Sequence, residues 1–291
     1  PSNAVMHVHT CFSMLTESAM AWALSNRIPY IFTPHGKLSP DMLRKQGVAK
    51  RVWWSLVARR PVRSASAICL SSKAEAGTFG RLGLPLNFGV VPNGFEKDRS
   101  GNTPAIPIPA KPYILFLGYL DPRKQPDLLV RAFAQSRVRS THRLVLAGPD
   151  AYGFRADLER EVGRAGLREQ TLFVGPVYGA SKWALLENAC CLCLPSKAEG
   201  FPLVLVEALG AGIPSVYSAQ CNFPEAALSG AGLELKDFAA ESWRKAIEGV
   251  CLDAGMNARM RLAAQALAPR YSWSRIAQEW LRVYRGLNRG L

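Results

Sequence analysis

Short apolar runs alternate with longer amphipathic stretches along most of this 291-residue chain. The short runs have the length of buried strands, and the longer stretches carry apolar positions at helical spacing. Strands and helices that alternate in this way are typical of parallel sheets with crossover helices, so the pattern predicts the α/β class. Up to residue 96 the predicted strands are 5–8, 30–33, 68–71 and 89–92, and the predicted helices are 13–26, 40–60 and 73–82.

The alternation starts again after residue 112 and continues for six strands. Six strands with intervening helices make a complete, doubly wound, Rossmann-like domain. The predicted strands are 114–118, 143–147, 171–174, 190–194, 215–218 and 233–235, and the predicted helices are 128–135, 155–165, 182–188, 203–209, 239–252, 256–268 and 274–286.

A proline-rich polar segment separates the two halves. Its composition favours an extended linker, and its prolines are Pro104, Pro107, Pro109 and Pro112. The predicted organisation is a first domain at 1–98, a linker at 99–112, a second domain at 113–270 and a final helix at 271–291.

Composition indicates a globular protein, because hydrophobic residues make up 48% of the chain and suffice for real cores. No apolar run approaches 18 residues, and the N-terminus lacks a charged region followed by an apolar stretch. Neither a membrane span nor a secretory signal is therefore expected, and the predicted location is cytoplasmic. Cys190, Cys191 and Cys193 lie in one predicted strand without further ligands at metal-site spacing, so we expect reduced core thiols.

The net charge of +14 favours polyanionic partners, and much of it lies between Lys37 and Arg63. Trp53 and Trp54 lie among these cations. Basic residues interleaved with tryptophan on a helix suggest docking to an anionic membrane surface, which would make the protein peripheral at the inner face of the cell membrane. A solvated helix face with both tryptophans packed inward explains the pattern as well. No nucleic-acid-binding motif is present, so nucleic acid is not an expected partner.

Two glutamates near residue 200 stand out in otherwise apolar sequence. Glu207 is the only charge in the predicted helix 203–209, and Glu199 lies in the loop before it. A buried carboxylate needs a cation or hydrogen-bond donors, and a ribose diol would suit Glu207. Gly200 permits close backbone approach, and free N–H groups near the start of the helix favour an anion. The alternative is a salt-bridged core Glu207 and a solvated Glu199.

The passage that starts Glu199-Gly-Phe-Pro and ends at Pro214 resembles the Glu-x7-Glu motif of the retaining GT-B glycosyltransferases of family 4 (group 1). The resemblance covers essentially the whole chain and implies two Rossmann-like domains facing a cleft. In that family the first glutamate contacts the donor sugar and the second contacts the nucleotide ribose. The resemblance therefore implies a catalytic Glu199 and a donor-binding Glu207, and it assigns the residues between them to the donor as well: Gly200, Phe201, Pro202 and Leu203.

The loop after the first strand of the second domain suits a diphosphate, because Gly118 is followed by the adjacent cations Arg123 and Lys124. In the family this loop reads Gly-Arg, a short gap and Lys-Gly, so Lys124 matches the family lysine. Tyr119 replaces the family arginine, and Arg123 would supply the guanidinium from a shifted position. Without the family context, both cations could equally be turn charges.

Three further positions complete the expected site. The resemblance implies that Val177, after a strand-ending Gly-Pro pair, borders the nucleotide base. His35 ends a strand of the first domain, where an imidazole can donate to a phosphate or a reacting hydroxyl, and the family has a functionally important histidine there. We therefore expect His35 to be catalytic, His9 to line the acceptor side and His7 to be structural.

These residues predict a retaining glycosyltransferase that moves a sugar from a UDP-, GDP- or ADP-sugar to a glycan or lipid-linked acceptor in polysaccharide or cell-envelope biosynthesis. No Asp-x-Asp occurs, so neither a metal of the GT-A type nor another cofactor is expected. The alternatives are a noncatalytic nucleotide-sugar-binding protein and a basic nucleic-acid-binding domain. Because the family has six or seven strands in its first domain and only about four are predicted here, we expect an N-terminally truncated domain.

Overall fold

The computed structural model describes residues 4–38, 47–73, 75–76, 88–97, 108–109 and 112–288. It divides the chain into two compact units, one formed by residues 1–93 with 273–291 and the other by residues 94–272. Each unit contains a parallel sheet with helices, which confirms the predicted α/β class. Most of the predicted linker 99–112 lies outside the described residues, so the predicted domain limits stay a prediction.

The first unit contains a four-stranded parallel sheet whose spatial order follows the chain, β1-β2-β3-β4. Its strands are β1 (Met6–His9), β2 (Tyr30–Thr33), β3 (Ala67–Leu70) and β4 (Phe88–Val90). In this register His9 lies beside Thr33. The carboxyl ends of β1 and β2, and the loops that follow them, therefore lie side by side.

The helices of the first unit include α1 (Met14–Ser25), α2 (Gly47–Trp53) and α3 (Arg59–Arg63), with a π-helical turn (Trp54–Ala58) between α2 and α3. The predicted helix 40–60 is thus described only from residue 47, and most of the predicted helix 73–82 lies outside the described residues.

The basic segment turns aliphatic side chains, and not its tryptophans, to solvent. Trp54 packs against the first unit's core, and Trp53 Nε1 is buried. Val48, Val52 and Leu56 are 76%, 52% and 80% exposed. Because these three residues follow one another at intervals of four, they share one helix face. We call them the aliphatic stripe.

The second unit contains a six-stranded parallel sheet of order β10-β9-β8-β5-β6-β7. Counted within the unit, this is the strand order 3-2-1-4-5-6 of a Rossmann fold, with the switch point between β5 and β8. The strands are β5 (Tyr113–Leu117), β6 (Arg143–Ala147), β7 (Thr171–Gly175), β8 (Cys191–Leu194), β9 (Ser215–Ser218) and β10 (Gly232–Leu235).

Seven helices of the second unit follow in chain order, and a last helix belongs to the first unit. They are α4 (Pro126–Ala134), α5 (Phe154–Arg164), α6 (Gly179–Asn188), α7 (Leu203–Ala211), α8 (Pro224–Leu228), α9 (Ala240–Leu252), α10 (Ala254–Leu267) and α11 (Trp273–Asn288). Every residue of β5, β8 and β9 is buried, as expected of parallel strands covered on both faces. The short helix α8 was not predicted.

Helix α7 runs two residues further than the predicted 203–209. Gly210 and Gly212 were both expected to stop it, and of the two Gly212 forms the left-handed cap, with φ of 67°. Gly210 is required for another reason. A Cβ atom there would lie 2.3 Å from Cε2 of Phe95, so only glycine lets the helix pack against this ring.

All seven cysteines are free thiols, and Cys191 and Cys193 lie within the same buried strand. Within the described residues, no helix is both long enough and apolar enough to cross a membrane.

Candidate functional site

The loops after β5 and β8 meet at the switch point of the second sheet, where open α/β sheets bind ligands. The amide of Lys197 donates to the carbonyl of Arg123 at 2.8 Å, which ties the two loops together. Lys124 Nζ forms an ion pair with Glu199 Oε1, and Ser196 Oγ donates to the same oxygen at 2.6 Å. The structure therefore brings together Lys124 and Glu199, two predicted residues from separate loops.

The Glu199 loop is held in place by its backbone as well as by its side chain. The backbone amide of Glu199 donates to the carbonyl oxygen of Gln220 at 3.2 Å, and Asn222 Nδ2 donates to the carbonyl oxygen of Glu199 at 3.1 Å. Only 11% of the Glu199 side chain is exposed, and 23% of Lys124. The carboxylate is thus positioned before any ligand arrives. Neither Gln220 nor Asn222 carried a sequence signal.

Glu207, on α7, has a lysine of its own. Lys182, in the first turns of α6, places Nζ 2.6 Å from Glu207 Oε1. The two side chains are 25% and 19% exposed, so most of the pair is withdrawn from water. The single charge in an apolar helix did signal the need for a cation. Sequence analysis nevertheless missed Lys182, because nothing in the pattern singles it out among the chain's 36 cations.

Arg123 is engaged by its own loop. Its Nε lies 3.0 Å from both carboxylate oxygens of Asp121, and this hydrogen bonding holds the pKa of Asp121 below its usual range. Asp121 is buried, whereas half of the Arg123 side chain is exposed. The guanidinium expected at the diphosphate is therefore committed to a turn carboxylate in this structure, as in the turn-charge interpretation. Tyr119, at the position of the family arginine, is 59% exposed.

The loops after β5 and β6 approach each other closely at Gly148. A Cβ on Gly148 would lie 1.9 Å from the carbonyl oxygen of Gly118, and Gly148 has a φ of 140°. A Cβ on Gly118 would meet nothing nearer than Phe116 Cζ at 3.7 Å. The loop after β5 thus packs directly on the loop after β6.

The segment between the two glutamates differs from the expectation in one respect. The amide of Leu203 donates to Phe201 O at 3.0 Å, so it is not free for an anion. Phe201 packs edge-on against Phe223, with ring centroids 6.1 Å apart, and Pro202 is buried. Val177, expected at the base, is only 8% exposed and belongs to the core.

Two glutamine side chains beside these loops carry buried oxygens that lack a partner. Among the described residues, nothing donates to Oε1 of Gln125 or Oε1 of Gln220. Gln125 directly follows Lys124 and has a left-handed backbone with φ of 50°. A buried acceptor without a donor is costly, so both oxygens are suited to accept from a ligand or from water.

Three histidines gather at the carboxyl ends of β1 and β2 in the first unit. His9 Nδ1 and His35 Nε2 are 2.9 Å apart, and the two rings stack. His7 bonds on both sides, to Thr33 Oγ1 at 2.9 Å and to the hydroxyl of Tyr284 at 2.8 Å. His9 and His35 are exposed, whereas His7 is half-buried between them and α11.

Burial lowers the pKa of all three histidines. For His7 the pKa falls to about 4, chiefly through burial and then through repulsion from His9 and His35. Burial also lowers the pKa values of His9 and His35, and repulsion from His9 lowers the pKa of His35 further. The cluster is therefore neutral at pH 7, and its exposed rings can accept as well as donate a proton.

A buried carboxylate supports the loop that carries His35. Glu75 accepts from the amide of Gly36, next to His35, and from the amide of Ser71 at 2.7 Å. Burial raises the pKa of Glu75, and the backbone hydrogen bonds oppose that rise. Glu75 thus joins the loop after β2 to the loop after β3, a role that its sequence context did not reveal.

Metal ligands were not expected in either unit. In the part of the chain that the structure describes, no group of three or more His, Cys, Asp or Glu residues could hold a metal ion.

Two family models match this chain. The model described as Glycosyl transferases group 1 matches residues 102–267, and the model described as Glycosyl transferase 4-like domain matches residues 3–94.

Similar curated proteins include two D-inositol 3-phosphate glycosyltransferases. The protein from Kribbella flavida is 33% identical over 186 residues, which cover 59% of this chain and 43% of the relative. The protein from Nocardia farcinica is 31% identical over 183 residues, which cover 60% of this chain and 41% of the relative. The chain thus spans less than half the length of these curated relatives.

Solved structures match over nearly the whole chain. HepE of Anabaena, in complex with UDP and glucose, aligns with a TM-score of 0.79 at 20% identity, covering 97% of this chain and 78% of its own. Sucrose-phosphate synthase of Thermosynechococcus elongatus aligns with a TM-score of 0.77 at 22% identity, and the alignment covers 99% of this chain and 74% of the synthase chain. At such identities the likeness shows the fold alone, which is that of the GT-B glycosyltransferases. The group 1 model matches more than half of the residues of this chain, so the chain belongs to the group 1 glycosyl transferases.

Proposed function

We propose that the chain binds a nucleoside-diphosphate sugar in its second unit and transfers the sugar with retention of anomeric configuration. The observation that carries this proposal is the pair of lysine–glutamate contacts, Lys124 with Glu199 and Lys182 with Glu207, beside the switch point of a Rossmann sheet. Paired carboxylates and cations suit the hydroxyls and the diphosphate of such a donor.

The donor residues divide by chemistry. Glu207 accepts from the ribose hydroxyls, Glu199 orients the sugar, and Lys124 faces the diphosphate with Gly118. Arg123 adds positive charge there through the exposed half of its side chain, while it stays paired with Asp121. The Gly200 to Leu203 segment borders the same ligand, and Val177 borders the base. UDP or UDP-glucose is present in structures of HepE, which shares the fold, and this favours a uridine nucleotide among the three candidates.

Cations at the diphosphate would stabilise the negative charge that develops on the leaving group during transfer. Lys124 is suited to this role, because a diphosphate would offer it further anionic oxygens beside Glu199. The leaving phosphate then assists deprotonation of the acceptor hydroxyl, so Glu199 does not act as nucleophile. In the first unit, neutral His35 donates to a phosphate or to the reacting hydroxyl, and His9 lines the acceptor side. No metal takes part in this proposal.

The acceptor class that we propose is a glycan or a lipid-linked sugar, reached at an anionic membrane surface. The aliphatic stripe supports this partner, since three aliphatic side chains stand in solvent among exposed cations. Those cations are Arg51, Arg59, Arg60 and Arg63. An apolar face bordered by cations matches the boundary between anionic headgroups and acyl chains. In this proposal the aliphatic side chains, and not Trp53 and Trp54, enter the bilayer.

Calorimetric titration of the purified chain with UDP, GDP and ADP tests the donor proposal. We expect saturable binding of one nucleotide, undiminished in EDTA, and a loss of roughly tenfold or more in affinity for Glu207→Ala. Glu187→Ala is the matched control. Glu187 lies on α6, next to α7, and it also pairs with a lysine, because Lys97 Nζ lies 2.7 Å from its Oε1. Its affinity should remain within twofold of the unaltered chain.

Other outcomes point to the alternatives. If none of the three nucleotides binds, the transferase proposal fails, and salt-sensitive binding of duplex DNA would then favour a nucleic-acid-binding domain. If a nucleotide binds but no UDP, GDP or ADP is released from the corresponding glucose donor, with or without added glycan and lipid acceptors, a noncatalytic nucleotide-sugar-binding protein is favoured.

A further inference from the structure

We infer that Lys182 is a positioning residue, which holds the Glu207 carboxylate in the orientation that recognises the ribose of the donor. This inference rests on the proposed function of Glu207. It adds a residue to the site that neither the motif nor the loop pattern identifies.

Lys182 is the only anchor of the Glu207 side chain in the described part of the chain. Its Nζ lies 2.6 Å from Oε1, and no other described residue bonds to the carboxylate. Glu199 differs, since Lys124 and Ser196 both bond to its Oε1. Among the described residues, removal of one lysine therefore leaves Glu207 without a partner, whereas Glu199 keeps a hydroxyl.

The contact leaves half of the carboxylate for a ligand. With Oε1 occupied by Lys182, Oε2 retains its lone pairs, and 19% of the side chain is exposed. A glutamate side chain has several rotatable bonds, and a fixed carboxylate avoids part of the ordering cost of binding. A ribose hydroxyl that donates to Oε2 would meet an oxygen already in place.

The lysine is itself held by its surroundings. Its Nζ lies 5.5 Å from the ring centroid of Trp183, within the range of a cation–π contact, and Trp183 is buried. Lys182 is only one quarter exposed and sits on α6, which packs against α7. These contacts restrict the ammonium group to the vicinity of Glu207.

A competing role would be direct attraction of the diphosphate by Lys182. The two roles differ in their dependence on the ribose. A positioning residue affects only ligands that carry the hydroxyls, whereas a phosphate-binding lysine affects nucleotides with and without them equally.

The test compares UDP with 2′,3′-dideoxy-UDP by titration calorimetry, and the measured quantity is the ratio of their dissociation constants. In the unaltered chain we expect a ratio of about ten or more, typical of hydrogen bonds to a charged acceptor. In Lys182→Met the ratio should fall to about one to three, through weaker UDP binding alone. Lys182→Arg should recover most of the original ratio. The double variant Glu207→Ala, Lys182→Met should have the same ratio as Glu207→Ala alone, because Lys182 acts only through Glu207.

Lys97→Met is the matched control. Lys97 also lies over the ring of Trp183, at 5.7 Å, and also pairs with a glutamate, but with Glu187. Its ratio should equal that of the unaltered chain. The unfolding midpoint of each variant shows whether it is folded, and a ratio is unaffected by a partly inactive sample.

A ratio that stays near ten in Lys182→Met overturns the inference while the proposed function stands. Equal weakening of both ligands overturns it in favour of phosphate binding. If UDP does not bind the unaltered chain, GDP or ADP and its dideoxy form replace it, and binding of none of them overturns the proposed function itself.

Discussion

At the scale of single residues, Gly148 controls how closely two loops of the second unit can approach. Its φ of 140° and the Gly118 carbonyl, 1.9 Å from a hypothetical Cβ, both exclude a side chain. The loops that it joins follow β5 and β6, and the first of them carries Lys124. The stability of the unit and the shape of the site therefore depend on the same backbone contact.

We predict that Gly148→Ala lowers the free energy of unfolding by about 2–4 kcal/mol, since it adds a strained backbone conformation and a steric clash. Urea unfolding measures the change. Gly153→Ala is the control, because Gly153 also has a positive φ, of 75°, but no heavy atom lies within 4 Å of its added Cβ. We expect about 1 kcal/mol there. Equal losses in the two variants would contradict a role for the close approach.

His7 makes the stability of the first unit depend on pH. Its pKa is about 4 in the folded chain and near 6.5 when unfolded, so between these values only the unfolded chain binds the proton. The contribution of His7 to the free energy of unfolding is therefore fully present above pH 6.5, and it is lost as the pH drops towards 4. We expect a contribution on the order of 1 kcal/mol, reduced by the partial exposure of the ring.

The measurement is urea unfolding at several pH values between 4 and 7. His7→Gln should flatten the pH dependence in that window, although the lowered pKa values of His9 and His35 preserve part of it. His142→Gln, in the second unit, removes a histidine outside this cluster and should leave the dependence on His7 intact. An unchanged slope in His7→Gln would refute the assignment.

At the scale of elements, α2 and the π-helical turn after it have an unusual orientation. A surface helix normally buries its apolar face, but here Trp54 and Ala58 face the core while the aliphatic stripe faces solvent. The segment has apolar residues on both sides and cations at its flanks. That arrangement agrees with an element that packs on the protein with one face and on a membrane with the other.

We predict that the double variant Val52→Ser, Leu56→Ser reduces binding to vesicles of anionic phosphatidylglycerol about tenfold, because two apolar side chains no longer leave water. Flotation assays measure the bound fraction. Leu262→Ser on α10 is the control, since Leu262 is 67% exposed but belongs to the second unit. Equal binding of the double variant, or equal binding to vesicles of neutral phosphatidylcholine, would contradict the proposal.

At the scale of the whole molecule, the two units have separate hydrophobic cores. The core of the second unit surrounds β5 and β8, and that of the first unit contains buried side chains such as Met20 and Phe32. Units with their own cores can unfold as separate cooperative steps.

We predict two transitions in scanning calorimetry, of which UDP raises only the one that belongs to the second unit. At a concentration one hundred times the dissociation constant, the stabilisation should be about 2.7 kcal/mol. Gly148→Ala identifies the transition of the second unit by lowering it. A single transition that UDP shifts as a whole would show that the units unfold together.

Much of the fold could be predicted from the sequence, because strand and helix periodicities are local properties. The ten strands of the described residues were all predicted to within about two residues, and β2, β6 and β9 in their full extent. The short helix α8 was missed, because a segment of five residues is too short to show periodicity. Helix α7 ends at the predicted glycines but includes Gly210 and Ala211. Gly210 is glycine because of Phe95, which is remote in sequence.

The sequence by itself determined the α/β class, the two Rossmann-like halves and the Glu199 to Glu207 motif, since each depends on spacing within one segment. Only the tertiary structure decided which cation meets which carboxylate: Lys124 with Glu199, Lys182 with Glu207, and Arg123 with its own neighbour Asp121. The physical reason is range. Periodicity records which face of an element is apolar, whereas an ion pair forms between loops and helices that meet only after the sheet has assembled.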